Sequence, residues 1–170
     1  MVVKILVLGD THLRYFKDLP KDILKLLKLA DWILHIGDFI SKEILDGFIK
    51  LKEDRFIGVY GNADPLMVRK ELSAMKIIQI EGHKFGMIHP ASGGPLEMTE
   101  KRVLSEFKRD SIDVLIYGHT HEPKIEKRQE LLLINPGKGY LEKNDYGPSP
   151  TIIMLTIDKE ISGKIIEIKK

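Results

Sequence analysis

The stretch DVLIYGHTHEP, residues 113 to 123, runs from an apolar segment, Val114 to Tyr117, through one glycine into two histidines two positions apart. A short apolar run without polar interruption is the pattern of a strand covered on both faces. The same pattern recurs earlier in the chain. Leu6-Val-Leu-Gly-Asp10-Thr-His12, Leu34-His-Ile-Gly-Asp38, Val59-Tyr-Gly-Asn62 and Gly86-Met-Ile-His89 each pass from an apolar run, usually through glycine, to a residue with an oxygen or imidazole donor. Five strand ends thus deliver seven donors: Asp10, His12, Asp38, Asn62, His89, His119 and His121.

The strands predicted on this basis are Val2 to Leu8, Trp32 to Ile36, Phe56 to Tyr60, Phe85 to Ile88 and Val114 to Tyr117. Between them Ile23, Leu26, Leu27 and Ala30 recur at helical spacing, and Ile44, Leu45, Phe48 and Ile49 form a second stripe that Ser41 is placed to cap. Leu96, Val103, Leu104 and Phe107 predict a third helix. Strands alternating with helices imply an α/β fold with a mostly parallel sheet. After Lys124, short strands at Leu131 to Ile134, Thr151 to Ile157 and Ile161 to Ile168 are separated by Asn135-Pro-Gly137 and Gly147-Pro-Ser-Pro150, and that end reads as antiparallel.

The 170 residues, 43% of them hydrophobic and 31% charged, predict one globular domain spanning 1–170. No run of about 18 apolar residues and no secretory leader is visible, so the expectation is a cytoplasmic protein without a membrane partner. The absence of cysteine excludes disulfides, thiol nucleophiles and thiolate metal sites, so any metal is held by nitrogen and oxygen. A net charge of +2, with lysines interleaved among acids, gives no electrostatic footprint for nucleic acid. It leaves open whether the chain forms a homo-oligomer. Abundant Lys and Ile, beside two Gln and three Asn, follow a bias reported for heat-adapted proteins.

In parallel α/β sheets the carboxyl ends of the strands line the ligand crevice, so donors distant in sequence converge there. Residues two apart in extended chain face the same way, which lets His119 and His121 address one site, as Asp10 and His12 do. Seven donors exceed the needs of one tetrahedral ion and suit two ions about 3.5–4 Å apart with a shared carboxylate.

Taken in order, Asp10-Thr-His12, Gly37-Asp38, Gly61-Asn62, His89 and Gly118-His-Thr-His121 resemble the pattern of the calcineurin-like metallophosphoesterases, and the Asn135-Pro-Gly137 turn is similar to one in their small prokaryotic members. The resemblance implies a four-layer α/β/β/α sandwich that binds two divalent transition-metal ions, commonly Mn²⁺, with Fe²⁺, Ni²⁺ or Zn²⁺ as variants. It puts Asp10, His12 and His121 on one ion, Asn62, His89 and His119 on the other, and Asp38 between them. It also implies a catalytic set of Asp38, Asn62 and His119, and a metal-bridging hydroxide that attacks the phosphorus of a small phosphoester.

Three positions depart from the family pattern. Ala63 stands where many relatives have a histidine that serves the leaving group, which biases the enzyme toward leaving groups of low pKa. Pro90 follows His89 where glycine is usual, and gives the loop through Ser92-Gly-Gly94 its own shape. Leu13-Arg14 replaces small or polar residues, and Arg14 reads as a solvated surface cation. Asp64 reads as a turn residue or a support behind the ligands, His35 as a satisfied histidine in the core or behind the ligands, pointing away from Asp38, His83 as a solvated turn residue, and Lys138 and Tyr140 as solvated turn residues near the site. The leading expectation is a metal-dependent phosphodiesterase. The alternative is a weakly active or inactive scaffold on the same fold, as in a retromer subunit; a nuclease ranks third.

Overall fold

The computed structural model describes residues 2–90, 95–139 and 148–169. Two five-stranded sheets are present. The first runs β10-β9-β1-β2-β3, with β1 Val3–Leu8, β2 Trp32–His35, β3 Phe56–Gly58, β9 Thr151–Ile157 and β10 Ile161–Glu167. The second runs β4-β5-β6-β8-β7, with β4 Met75–Ile80, β5 His83–Ile88, β6 Val114–Tyr117, β7 Lys124–Arg128 and β8 Leu131–Asn135.

The sheets are mixed, which corrects the mostly parallel reading. The central trio β1, β2 and β3 is parallel, and β9 and β10 add to it antiparallel. In the second sheet β5, β6 and β8 are parallel, while β4 and β7 pair antiparallel as edges. Strand β8 therefore lies parallel to β6 within the end of the chain expected to be antiparallel. An apolar run reports burial on both faces, not strand direction, which is set by the connections.

Three apolar clusters define four layers. Val3, Ile5, Val7, Leu34 and Ile36 of the first sheet meet Phe85, Met87, Val114, Ile116 and Ile134 of the second between the sheets. Leu6, Leu8 and Ile33 on the outer face pack on α1 (Lys21–Leu29) and α2 (Lys42–Lys52) through Ile23, Leu27, Ile44 and Phe48. Leu115, Tyr117 and Leu133 pack on α4 (Thr99–Glu106) through Val103. Each fully buried Leu, Ile or Phe contributes about 1.5–3 kcal/mol. Ser41 caps α2 as its sequence predicts, accepting from the Ile44 N–H at 3.2 Å.

Further differences are local. Helix α4 is preceded by a 3₁₀ turn, Leu96–Met98, and Leu96 is exposed instead of joining the helical stripe; Phe107 lies just past the helix. A short α3, Leu66–Glu71, was not anticipated. Glu81 and Gly82, with φ of 48° and 82°, form the β4–β5 turn, so His83 opens β5 instead of sitting in the turn. Among the described residues no helix is long and apolar enough to cross a membrane.

Candidate metal centre

Parallel register sets the strand ends level: Leu8 lies opposite His35, and Ile88 opposite Tyr117. The chain beyond each strand stays tied to its neighbour, with Asp10 N–H donating to Gly37 O at 2.9 Å and His12 N–H to Asp38 O at 3.2 Å. All seven candidate donors gather at this end. Ligand atoms of Asp10, His12 and Asp38 lie within 4.8 Å of one another. Asp38 Oδ2 is 3.5 Å from His12 Nε2 and 3.6 Å from His89 Nε2. Asn62 Oδ1 is 3.2 Å from His89 Nε2 and 3.0 Å from His119 Nδ1, and His121 Nε2 is 3.1 Å from Asp10 Oδ1.

Five of the donors do not sit in extended chain. Asp10, His12, Asp38, His119 and His121 have φ between 48° and 76°, the left-handed region that costs L-residues roughly 1–2 kcal/mol each. This corrects the alternation argument for His119 and His121. The backbone coils after Gly118, so His119 turns to Asn62 and His121 to Asp10. Strained backbone of this kind persists where surrounding bonds over-determine it. Here Asn135, fully buried, donates from Nδ2 to Thr120 Oγ1 at 2.9 Å and accepts from the Gly137 N–H.

Asp64 is the principal brace. Its Oδ2 accepts from the N–H groups of Asp38 (2.9 Å) and Gly61 (2.8 Å), and its Oδ1 from those of Phe39 (2.7 Å) and Ile40 (2.9 Å). Burial pushes its carboxyl pKa up while these donors oppose the rise. The loops it joins touch closely: a Cβ on Gly37 would sit 2.6 Å from Gly61 N, and one on Gly61 would overlap Asp38 Oδ1. Arg69 adds a second tie, donating to Asn62 O and Asp64 O at 2.7 Å each. Sequence reasoning gave Asp64 a supporting or turn role without finding its four bonds, and it missed Arg69, Asn135 and Thr120. The available signals were an Arg one helical turn beyond Pro65 and an Asn directly before Pro-Gly.

The donor set fits a cation. His89 Nδ1 donates to Ile36 O at 2.7 Å, which leaves the lone pair of the neutral ring on Nε2, facing Asn62 Oδ1. Two acceptors then face each other, an arrangement that a cation between them relieves. Asp10 Oδ2 is buried and has no hydrogen-bond partner among the described residues. Nitrogen and oxygen donors without thiolate suit manganese, iron, nickel or zinc.

Charge follows the same geometry. Burial would raise the Asp38 carboxyl, but the His12 contact, the electrostatic influence of the His89 imidazole and the Ala63 N–H, which donates to Oδ1 at 2.7 Å, outweigh it and lower the pKa from 3.8. Burial, aided by His89, lowers His119. The Asp10 bond raises His121 against its burial and against the nearby Lys138 charge. Lys138 is thus half-buried beside the site instead of being a freely solvated turn residue. Arg14 is exposed as expected. Tyr140, Gly147 and the stretch Ser92-Gly-Gly94 lie outside the described residues.

His35 is the core histidine expected. Fully buried, it stacks on Phe39 with ring centroids 3.6 Å apart, accepts from the Gly37 N–H at Nδ1 and reaches Thr11 Oγ1 from Nε2 at 3.2 Å. Burial holds its pKa well below 6.5. Below that value the unfolded chain binds the proton that the folded chain refuses, so stability falls as pH drops from 6.5. Urea unfolding of metal-free protein from pH 7 to about 5 is expected to show this loss, shallower in His35→Gln by up to about 1.4 kcal/mol per pH unit. Parallel slopes would sink this account.

A family model described as the calcineurin-like phosphoesterase superfamily domain matches residues 3–160. A probable metallophosphoesterase of Methanocaldococcus jannaschii is 36% identical over 168 residues, covering 96% of this chain and 81% of that protein. A phosphodiesterase of the same archaeon is 31% identical and covers 96% of this chain and 99% of its own length. Among solved structures, Vps29 of Entamoeba histolytica complexed with Zn²⁺ matches with a TM-score of 0.68 at 20% identity, over 97% of this chain and 99% of that one, a likeness of fold. With most of its length matched by the family model, and with two mixed sheets between helices converging on a nitrogen–oxygen donor cluster, the chain belongs to the calcineurin-like phosphoesterase superfamily.

Proposed function

We propose that the protein is a dinuclear-metal-dependent phosphodiesterase acting on a small phosphodiester. The observation that carries this reading is Asp38, whose Oδ2 lies between His12 and His89 while its Oδ1 is held by the Ala63 N–H. Asp10, His12 and His121 would hold one ion, Asn62, His89 and His119 the other, and Asp38 both. Mn²⁺ is the proposed occupant, and Fe²⁺, Ni²⁺ or Zn²⁺ suits the same donors. When bound, such a pair supplies a nucleophilic water at neutral pH and neutralises phosphoryl charge.

The chain's own contribution is positioning. Asp64, Arg69 and Asn135 hold three donor loops in place before substrate arrives, and His89 is held in one tautomer by Ile36 O. At the position after Asn62 the chain offers Ala63, with no side-chain proton to give the departing oxygen. A positioned acid is worth about 10²- to 10⁴-fold, so leaving groups of low pKa are preferred. The near-balanced charge of +2 supports a small substrate over nucleic acid.

The test is hydrolysis of bis-p-nitrophenyl phosphate against p-nitrophenyl phosphate by metal-stripped protein to which Mn²⁺, Ni²⁺ or Mg²⁺ is restored. Metal-dependent turnover favouring the diester is expected. Two bound ions per chain without turnover would overturn the reading and leave a scaffold.

A further inference from the structure

His89 and Pro90 border a second feature, a mostly apolar cleft of about 450 Å³ whose walls include Tyr60, Met75, Ile88 and Val103. It lies between the end of the first sheet, the start of β4 and α4. Its volume falls in the range of small-molecule sites, roughly 300–1,000 Å³. Arg102 and Glu106 bring one charge of each sign to the walls, so the cleft carries no net charge to attract a second phosphate.

The cleft adjoins the centre at one residue, His89. His89 lines it and also faces Asp38 and Asn62. Tyr60 lies two residues before Asn62, and the Arg69 guanidinium that donates to Asn62 O stands over the Tyr60 ring, 5.5 Å from its centroid. A flat aromatic wall is therefore held in place by the same cation that holds a donor loop. Pro90, with fixed φ and no N–H, adds a rigid apolar edge.

We propose that this cleft receives one neutral aromatic arm of a phosphodiester whose phosphorus sits at the donor cluster, a specificity site that rests on the phosphodiesterase reading. Aromatic groups suit it because they bury a large apolar area at little conformational cost and stack on a fixed ring. A charged or bare methyl arm gains nothing there.

The experiment measures binding of phenylphosphonate and methylphosphonate to manganese-loaded protein by calorimetry, beside kcat/KM for phenyl and methyl p-nitrophenyl phosphate, which share one leaving group. A phenyl-over-methyl ratio of about 10- to 100-fold is expected in both. Ala74→Trp, in the connection before β4, and Ser105→Trp, on α4, both at exposed cleft positions, should bring the ratio toward one. A wild-type ratio near one, or a ratio that neither variant changes, overturns the proposal. A phosphonate preference that persists without turnover upholds the cleft and overturns only the hydrolytic reading.

Discussion

Asp38→Asn should abolish metal-dependent diester turnover, with a loss of about 10³-fold or more. A metal pair supplies several kcal/mol of transition-state stabilisation, and each ~1.4 kcal/mol is tenfold in rate. The substitution is nearly isosteric. Its amide oxygen can still accept the Ala63 N–H, but the group then facing His12 and His89 is a neutral NH₂ that donates instead of a charged oxygen. Metal content should fall with activity, because under the proposed assignment this carboxylate serves both sets of ligands. The checks are metal analysis of the dialysed variant and its turnover of bis-p-nitrophenyl phosphate. A variant that retains both ions and stays within about tenfold of wild type would remove Asp38 from the centre of the mechanism.

Asp64→Ala carries the second large effect, and it falls on the fold first. Four backbone N–H groups lose their acceptor at a site where Asp64 is 3% exposed. Unsatisfied buried donors cost about 1–3 kcal/mol each, part of it recovered by entering water, so a loss of about 3–5 kcal/mol is expected. Asp64→Asn should recover less than its shape suggests. One amide oxygen serves one pair of donors, while the NH₂ confronts the other pair. Urea unfolding of metal-free protein checks both variants, and a shift below about 0.5 kcal/mol in Asp64→Ala would show that the brace is dispensable.

The strands of the core were legible because burial on both faces leaves continuous apolar runs, as in Val114 to Tyr117. The edges were not. Strand β4, MKIIQI, is mostly exposed, and β7, KIEKR, carries charge at alternate and adjacent positions as edge strands do. Neither resembles a core strand. Helix α3 has six residues, too few for a periodic stripe. The candidate site was legible for a different reason. Its donors follow strand ends in a fixed order, and all seven gather as expected, His89 included despite Pro90. What eluded the sequence was how they are held. Asp64 accepts hydrogen bonds from N–H groups 24 to 26 residues away along the chain, and no local pattern of residue types encodes a partner at that distance.

The donors also divide by sheet. Asp10, His12, Asp38 and Asn62 follow strands of the first, and His89, His119 and His121 follow strands of the second. Ions shared across that division would act as cross-links between two halves that also meet through a direction-free apolar interface. Parting of the sheets at that end would then be one route by which such an ion leaves, and the rate at which a chelator strips the protein would report on it. Inhibitors that clamp the two sheets together would slow metal loss without touching a single ligand.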